Sequence, residues 1–270
     1  MLISVVNVTS GTIADADIQT VLRAVNRQIA EDFLPYWGFG AQLRLEGASS
    51  PKPNPQNIND MRGDAILYLW NGHDVEDALG YHDQNFRGIP YGFVFTELAA
   101  RLGEHWSITL SHEALELVGD PMCNLLVQGP HPDDVGKIAP RIVFHWFEMC
   151  DAVQNESYVI DSVKVSNFVL PLYFTGAEES GGRNDFLNNS YKRLTLRSFR
   201  TNPGGYVGFF DPKSDKPMTF ADPVDARAKQ RMTIKLGLPA GRSFSRKVAQ
   251  PLPPLVARLP LRQVRVRRRA

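Results

Sequence analysis

The sequence predicts an α+β fold: a mixed, twisted sheet, a long N-terminal helix, a second helix carrying polar residues at helical spacing, and a smaller, irregular C-terminal subdomain. Two observations support this prediction. Short apolar segments with β-branched or alternating character recur through the first 95 residues and are interrupted by a helical apolar period. Beyond about residue 176 the sequence becomes rich in turn residues.

The elements follow in order from these patterns. Residues 1–8 are rich in Ile and Val and predict a strand, and residues 14–33 have the apolar period of a helix. Residues 41–45 and 65–70 predict the next two strands, with a proline-rich loop at 49–55 between them.

Later segments predict shorter elements. Residues 92–95 predict a fourth strand, and residues 158–165 a small hairpin around Asp161 and Ser162. We expect residues 167–174 to form a wall of the lower subdomain. Strands at 191–199 and 205–210 are further expectations.

The segment from His112 to Pro121 carries the main chemical signal. Residues four apart share a helix face, so His112 and Glu116 can approach one ion from adjacent turns, with Glu113 beside it. This is the arrangement of the H-E-x-x-H motif, in which the glutamate is the general base of a metal hydrolase. In this chain the carboxylate of Glu116 replaces the second imidazole of that motif. Zn²⁺ accepts such a ligand, and so do harder divalent ions.

The flanks of this segment predict the limits of a helix. Residues 106–111 supply an apolar lead-in with Ser and Thr positions suited to an N-cap. Gly119, followed two positions later by Pro121, is typical of a helix C-terminus.

On these residues the segment resembles the active-site helix of the zincin metallopeptidases. His112, Glu113, position 116 and Gly119 match the metzincin pattern H-E-x-x-H-x-x-G-x-x-H/D at its first, second, fifth and eighth places. Two positions depart from it: Glu116 replaces the second histidine, and Met122 stands where the third ligand is expected. The resemblance implies a zincin-like catalytic domain over residues 1–175.

A third ligand is predicted downstream, at Glu148 or Asp151. The segment resembles the gluzincin arrangement that supplies a ligand glutamate and an aspartate behind a ligand histidine. We expect Glu148 on the metal and Asp151 behind it, or the two exchanged. Met149 is an alternative, as the methionine beneath a metzincin site.

The resemblance further implies Zn²⁺ or another divalent cation as cofactor and a peptide or protein as substrate. Zincins pair an extended substrate with an edge strand beside the cleft, and residues 89–95 are our candidate for that strand. His82 and Tyr91 are candidate substrate-binding residues, although a histidine in such a sequence is more commonly an ordinary loop residue.

Composition limits the alternatives. The 270 residues carry a formal net charge of +1 and 43% hydrophobic residues, enough for one sizeable core with a tail. We expect residues 176–225 to add strands and loops to the catalytic domain. Residues 226–270, with prolines and only basic charges after Arg242, predict a disordered tail; nucleic-acid binding by this tail is possible but not favoured.

Targeting signals and cysteines add little to the prediction of function. The first residues lack the basic and long apolar regions of a secretory signal, and no segment has the length of a membrane span, so the default expectation is a cytoplasmic protein. Cys123 and Cys150 flank the two site segments, and either a disulfide or two free thiols fits their spacing.

Three functions therefore compete. The first is a metal-dependent peptidase that uses Glu113 as general base. The second is a zincin-like structural protein, of phage or mobile-element type, in which the change at Glu116 impairs catalysis. The third is a nucleic-acid-binding protein that acts through the basic tail.

Overall fold

A five-stranded sheet forms the N-terminal part of the computed structural model, which describes residues 1–56, 58–73, 79–176 and 182–221. The strand order is β2-β1-β3-β5-β4. Strands β2, β1, β3 and β5 are parallel to one another, and β4 runs antiparallel to β5 at one edge. The strands are β1 (Leu2–Val8), β2 (Gln42–Glu46), β3 (Ala65–Trp70), β4 (Gly80–Gln84) and β5 (Pro90–Phe95).

Both faces of this sheet are covered, which explains its nearly continuous apolar strands. One face packs against the helices in a core that includes Ile3, Val5, Leu67 and Val94. The other face carries an aromatic cluster around Phe93. The predictions of β1, β2, β3 and β5 as strands are confirmed.

The prediction that residues 89–95 form the edge strand of the sheet is wrong. β5 lies between β3 and β4, so the edge beside the second long helix is β4. β4 was not predicted as a strand because its sequence, Gly-Tyr-His-Asp-Gln, is polar. Its two buried residues are Gly80 and His82, so it lacks the large apolar residues that mark a strand.

The predicted N-terminal helix changes type before it ends. α1 (Asp15–Arg27) continues as a π-helical turn over Gln28–Phe33 and then as the short α2 (Leu34–Trp37). The fully buried Gln28 lies in that turn; its amide nitrogen donates to the Ser166 carbonyl and its amide oxygen accepts from the Ser111 hydroxyl. The turn therefore ties the first helix to the site helix.

The site helix follows a short helix that the sequence did not predict. That helix is α3 (Thr96–Arg101), and α4 (Trp106–Gly119) comes next and is buried almost throughout. The N-cap of α4 is His105, whose ring accepts from the Ser107 backbone N–H, so the predicted Ser or Thr cap is wrong. The predicted end at Gly119 is confirmed.

The remaining strands form a second sheet and a hairpin. The antiparallel order is β11-β10-β7-β6, so strands from both sides of residue 175 share one sheet. The strands are β6 (Leu126–Pro130), β7 (Ile142–Trp146), β10 (Tyr206–Asp211) and β11 (Lys216–Ala221), and the hairpin is β8 (Ser157–Ile160) and β9 (Val163–Ser166).

The later predictions have mixed outcomes. The hairpin and the strand at 205–210 are confirmed, and residues 167–174 are largely buried and end in a 3₁₀ turn at Pro171–Phe174. The strand predicted over 191–199 is wrong: the segment holds one isolated bridge, and positive φ angles at Lys192 and Arg193 turn the chain.

The fold is thus mixed α+β, with several sheets and few helices. Within the described ranges, every helix falls short of the length and apolarity needed to cross a membrane. The predicted tail at 226–270 lies outside the described residues.

Candidate metal centre

Three separate elements bring the predicted ligands together. The site helix α4 contributes His112, Glu113 and Glu116, the edge strand β4 contributes His82, and the turn after β7 contributes Glu148 and Asp151. All six residues are buried. We call these six residues the carboxylate–histidine cluster.

One part of the cluster has the spacing of a metal site. His112 Nε2 lies 3.1 Å from Glu116 Oε1 and 3.2 Å from Asp151 Oδ1. Ligands of a tetrahedral ion at about 2.0 Å are about 3.3 Å apart. The His112 side chain is only 8% exposed, so both contacts lie inside the protein. Each of these two distances therefore matches the separation of two ligands on one divalent cation.

The second part of the cluster surrounds His82. Its Nδ1 lies 3.5 Å from Glu113 Oε2 and 3.6 Å from Glu116 Oε2, and its Nε2 lies 4.0 Å from Glu148 Oε2. A residue that the sequence suggested only as a substrate contact thus lies among the carboxylates.

Three sets of side chains have potential ligand atoms within 4.8 Å of one another. Glu116 belongs to every set. The sets are His112, Glu116 and Cys150; His82, Glu113 and Glu116; and Glu116, Glu148 and Asp151.

The electrostatics of the cluster favour a cation. Burial lowers the pKa of His112, but the nearby carboxylates of Glu116, Asp151 and Glu113 outweigh that effect and raise the pKa to about 9. Burial also raises the pKa of Asp120 at the end of α4, and the negative charge of Glu148 raises it further. Positive charge is therefore stabilised here, and additional negative charge is not.

Close packing holds the helix and the turn against each other. A Cβ atom on Gly119 would come within 2.4 Å of the Met149 side chain, so Met149 packs directly against the end of α4. The Asp120 carboxylate accepts from the backbone N–H groups of Asn124 and Leu125 and reverses the chain. The Cys150 backbone N–H donates to Glu116 Oε1 at 3.3 Å.

The two cysteines are buried free thiols. Burial raises the pKa of both. Cys150 lies within reach of a cation at His112 and Glu116, a role that the sequence analysis missed. Its position beside Asp151 was the available signal.

Tyr91 does not join the cluster. It packs with Tyr81 and Phe93 on the sheet face opposite α4, because alternate residues of β5 point to opposite faces. The cluster instead borders a narrow cleft of about 10 Å³, which Glu148, Asp151, Trp146 and Tyr173 help to line.

Comparison of this chain with protein-family models, with curated proteins and with solved structures gives no match.

Proposed function

We propose that this protein is a metal-dependent hydrolase with a zincin-like fold, and that its substrate is a peptide or protein. The order of strand, long helix, four strands and site helix, with the short α3 just before the site helix, supports the zincin-like assignment, as does the edge strand beside α4. The observation that carries the proposal is the position of His112 Nε2, 3.1 Å from Glu116 Oε1 and 3.2 Å from Asp151 Oδ1.

These three residues would hold the ion. Of the two alternatives for the closing ligand, the distances favour Asp151, because Glu148 lies nearer His82. Zn²⁺ suits a site with one imidazole and carboxylates, and Mn²⁺ is a second candidate because two of the three ligands are hard oxygens.

A bound divalent ion polarises a carbonyl group and lowers the pKa of water. Glu113, next to His112 on α4, accepts a proton from the attacking water and returns it to the leaving amine. Its buried position, 2% exposed, keeps bulk water from competing for that proton.

The test compares cleavage of a quenched fluorescent casein by the wild-type chain and by Glu113→Gln, with and without a chelator. We expect the variant to lose about 10²- to 10⁴-fold in rate, the usual contribution of a general base, and chelation to abolish wild-type activity. The matched control is Glu97→Gln, an exposed glutamate on α3. Full activity in Glu113→Gln would refute the assignment.

One observation favours a second candidate function, a metal-binding structural protein without catalysis. The carboxylate–histidine cluster is buried throughout, and the cleft beside it is small for a peptide. A stoichiometric ion together with no cleavage in the same assay would select this candidate.

A further inference from the structure

The two carboxylate oxygens of Glu116 face two different histidines. Oε1 lies 3.1 Å from His112 Nε2, and Oε2 lies 3.6 Å from His82 Nδ1. Glu116 is fully buried, so both oxygens are directed at these neighbours rather than at solvent. A carboxylate placed between two imidazoles has the arrangement of a bridging ligand.

The two histidines belong to different groups of potential metal ligands. Oxygen and nitrogen ligands lie about 2.0 to 2.2 Å from Zn²⁺, so two ligands of one ion are at most about 4.4 Å apart. No set of mutually close ligand atoms in the described residues contains both His82 and His112. Each histidine forms its own set, and Glu116 is common to both.

The four carboxylates of the cluster, when all are ionised, carry more negative charge than one divalent cation balances. The cluster contains four carboxylates: Glu113, Glu116, Glu148 and Asp151. A single divalent ion with two neutral imidazoles leaves a surplus of two negative charges, and buried charge that is not compensated is costly. A second divalent ion removes that surplus.

We propose that the protein has a second divalent-cation site, formed by His82, Glu113 and Glu116 Oε2, and that Glu116 bridges the two ions. This inference rests on the proposed function, which provides the first ion. Two-metal sites in proteins place their ions about 3.5 to 4 Å apart, a separation that a bridging carboxylate permits.

With a second site, Glu113 has two roles, general base and metal ligand, and it cannot perform both at once. With one ion bound, Glu113 acts as the base; with two ions bound, it is a metal ligand and cannot take a proton. Occupancy of the second site therefore inhibits the hydrolase. An excess of the metal is the regulating ligand.

The experiment loads the full-length protein with Mn²⁺ and measures bound metal after gel filtration and the electron paramagnetic resonance spectrum. We expect two Mn²⁺ per chain with an exchange-coupled signal, because bridged ions interact magnetically. His82→Gln should bind one Mn²⁺ and give the signal of an isolated ion. The exposed His73→Gln is the matched control and should retain two.

The possible results separate the two proposals. One Mn²⁺ per wild-type chain, or two without coupling, overturns the second site and leaves the hydrolase intact. No bound Mn²⁺ and no bound Zn²⁺ overturns both. Should His82→Gln fail to fold, Glu113→Gln removes a ligand of the same site, and two coupled ions in that variant would equally contradict the proposal.

Discussion

His145 shows how burial sets the charge of a histidine outside the metal cluster. Its Nε2 lies 2.8 Å from the Pro130 carbonyl oxygen, and its ring packs 4.5 Å from that of Phe199. Burial lowers its pKa to about 4. The folded protein therefore holds this imidazole neutral at a pH where the unfolded chain protonates it.

This pKa predicts a loss of stability in acid. Because the folded pKa lies below the ordinary 6.5, the unfolded state binds the proton first as the pH falls. The free energy of unfolding should drop between pH 6.5 and 4 by up to about 3 kcal/mol. Urea denaturation at pH 7 and pH 4.5 measures it, and His145→Phe should lack this component. An equal pH dependence in the two proteins would contradict the assignment.

Local spacing alone predicts three of the six site residues, and the resemblance to zincins adds Glu148 and Asp151. His112, Glu113 and Glu116 lie within two turns of one helix, so helical periodicity alone brings them together. His82 reaches the cluster because β4 returns antiparallel beside β5, and no local pattern encodes that pairing. Whether Asp151 or Glu148 lies closer to His112 depends on a turn, which periodicity does not describe.

The close approach of β4 to α4 depends on Gly80. A Cβ atom at this position would lie 2.6 Å from the Phe93 carbonyl oxygen, 2.8 Å from the Thr109 side chain and 3.0 Å from that of Glu113. The strand can thus carry His82 to the helix only with glycine here. The same contact explains why β4 escaped prediction, since glycine is depleted in strands.

Gly80→Ala should therefore separate the edge strand from the site helix. We expect the substitution to cost about 1–3 kcal/mol of unfolding free energy, as overpacking commonly does, and to weaken the second Mn²⁺ more than the first. Urea denaturation and Mn²⁺ titration measure the two effects. Gly47→Ala, where a Cβ atom meets open space, is the control. Unchanged stability in Gly80→Ala would show that the strand can shift freely.

Repulsion between the buried carboxylates would lower the stability of the whole fold. Two of these carboxylates lie on α4 and two lie in the turn after β7, so their mutual repulsion acts between parts of the chain that are distant in sequence. A cation in the cluster removes that repulsion and links these parts. Binding of the proposed ion would therefore be coupled to global stability.

Metal should raise the melting temperature of the full-length protein. At a free Zn²⁺ concentration 100 times the dissociation constant, linkage adds about 2.7 kcal/mol. For a chain of this size that corresponds to roughly 5–10 °C. Differential scanning calorimetry with Zn²⁺ or chelator measures the shift, and Asp151→Asn should reduce it. A melting temperature indifferent to Zn²⁺ in the wild type would contradict the coupling.

The topology of the sheet was only partly predictable. Four strands and both long helices follow from apolar patterns, because those patterns reflect burial that each segment carries in itself. The position of β5 inside the sheet depends on its partner β4, and the sheet formed by β7 and β10 joins segments about 60 residues apart. Pairing between distant strands is a property of the folded chain rather than of either segment.

The burial of the cluster also determines how quickly a metal ion can exchange. A hydrated ion must lose its water and pass protein atoms before it meets His112 or Glu116, which are 6% and 0% exposed. The rates of uptake and release are then set by local opening of the chain rather than by affinity. The cleft that Glu148 and Asp151 help to line lies next to the cluster. An ion bound in this cluster would consequently be released slowly.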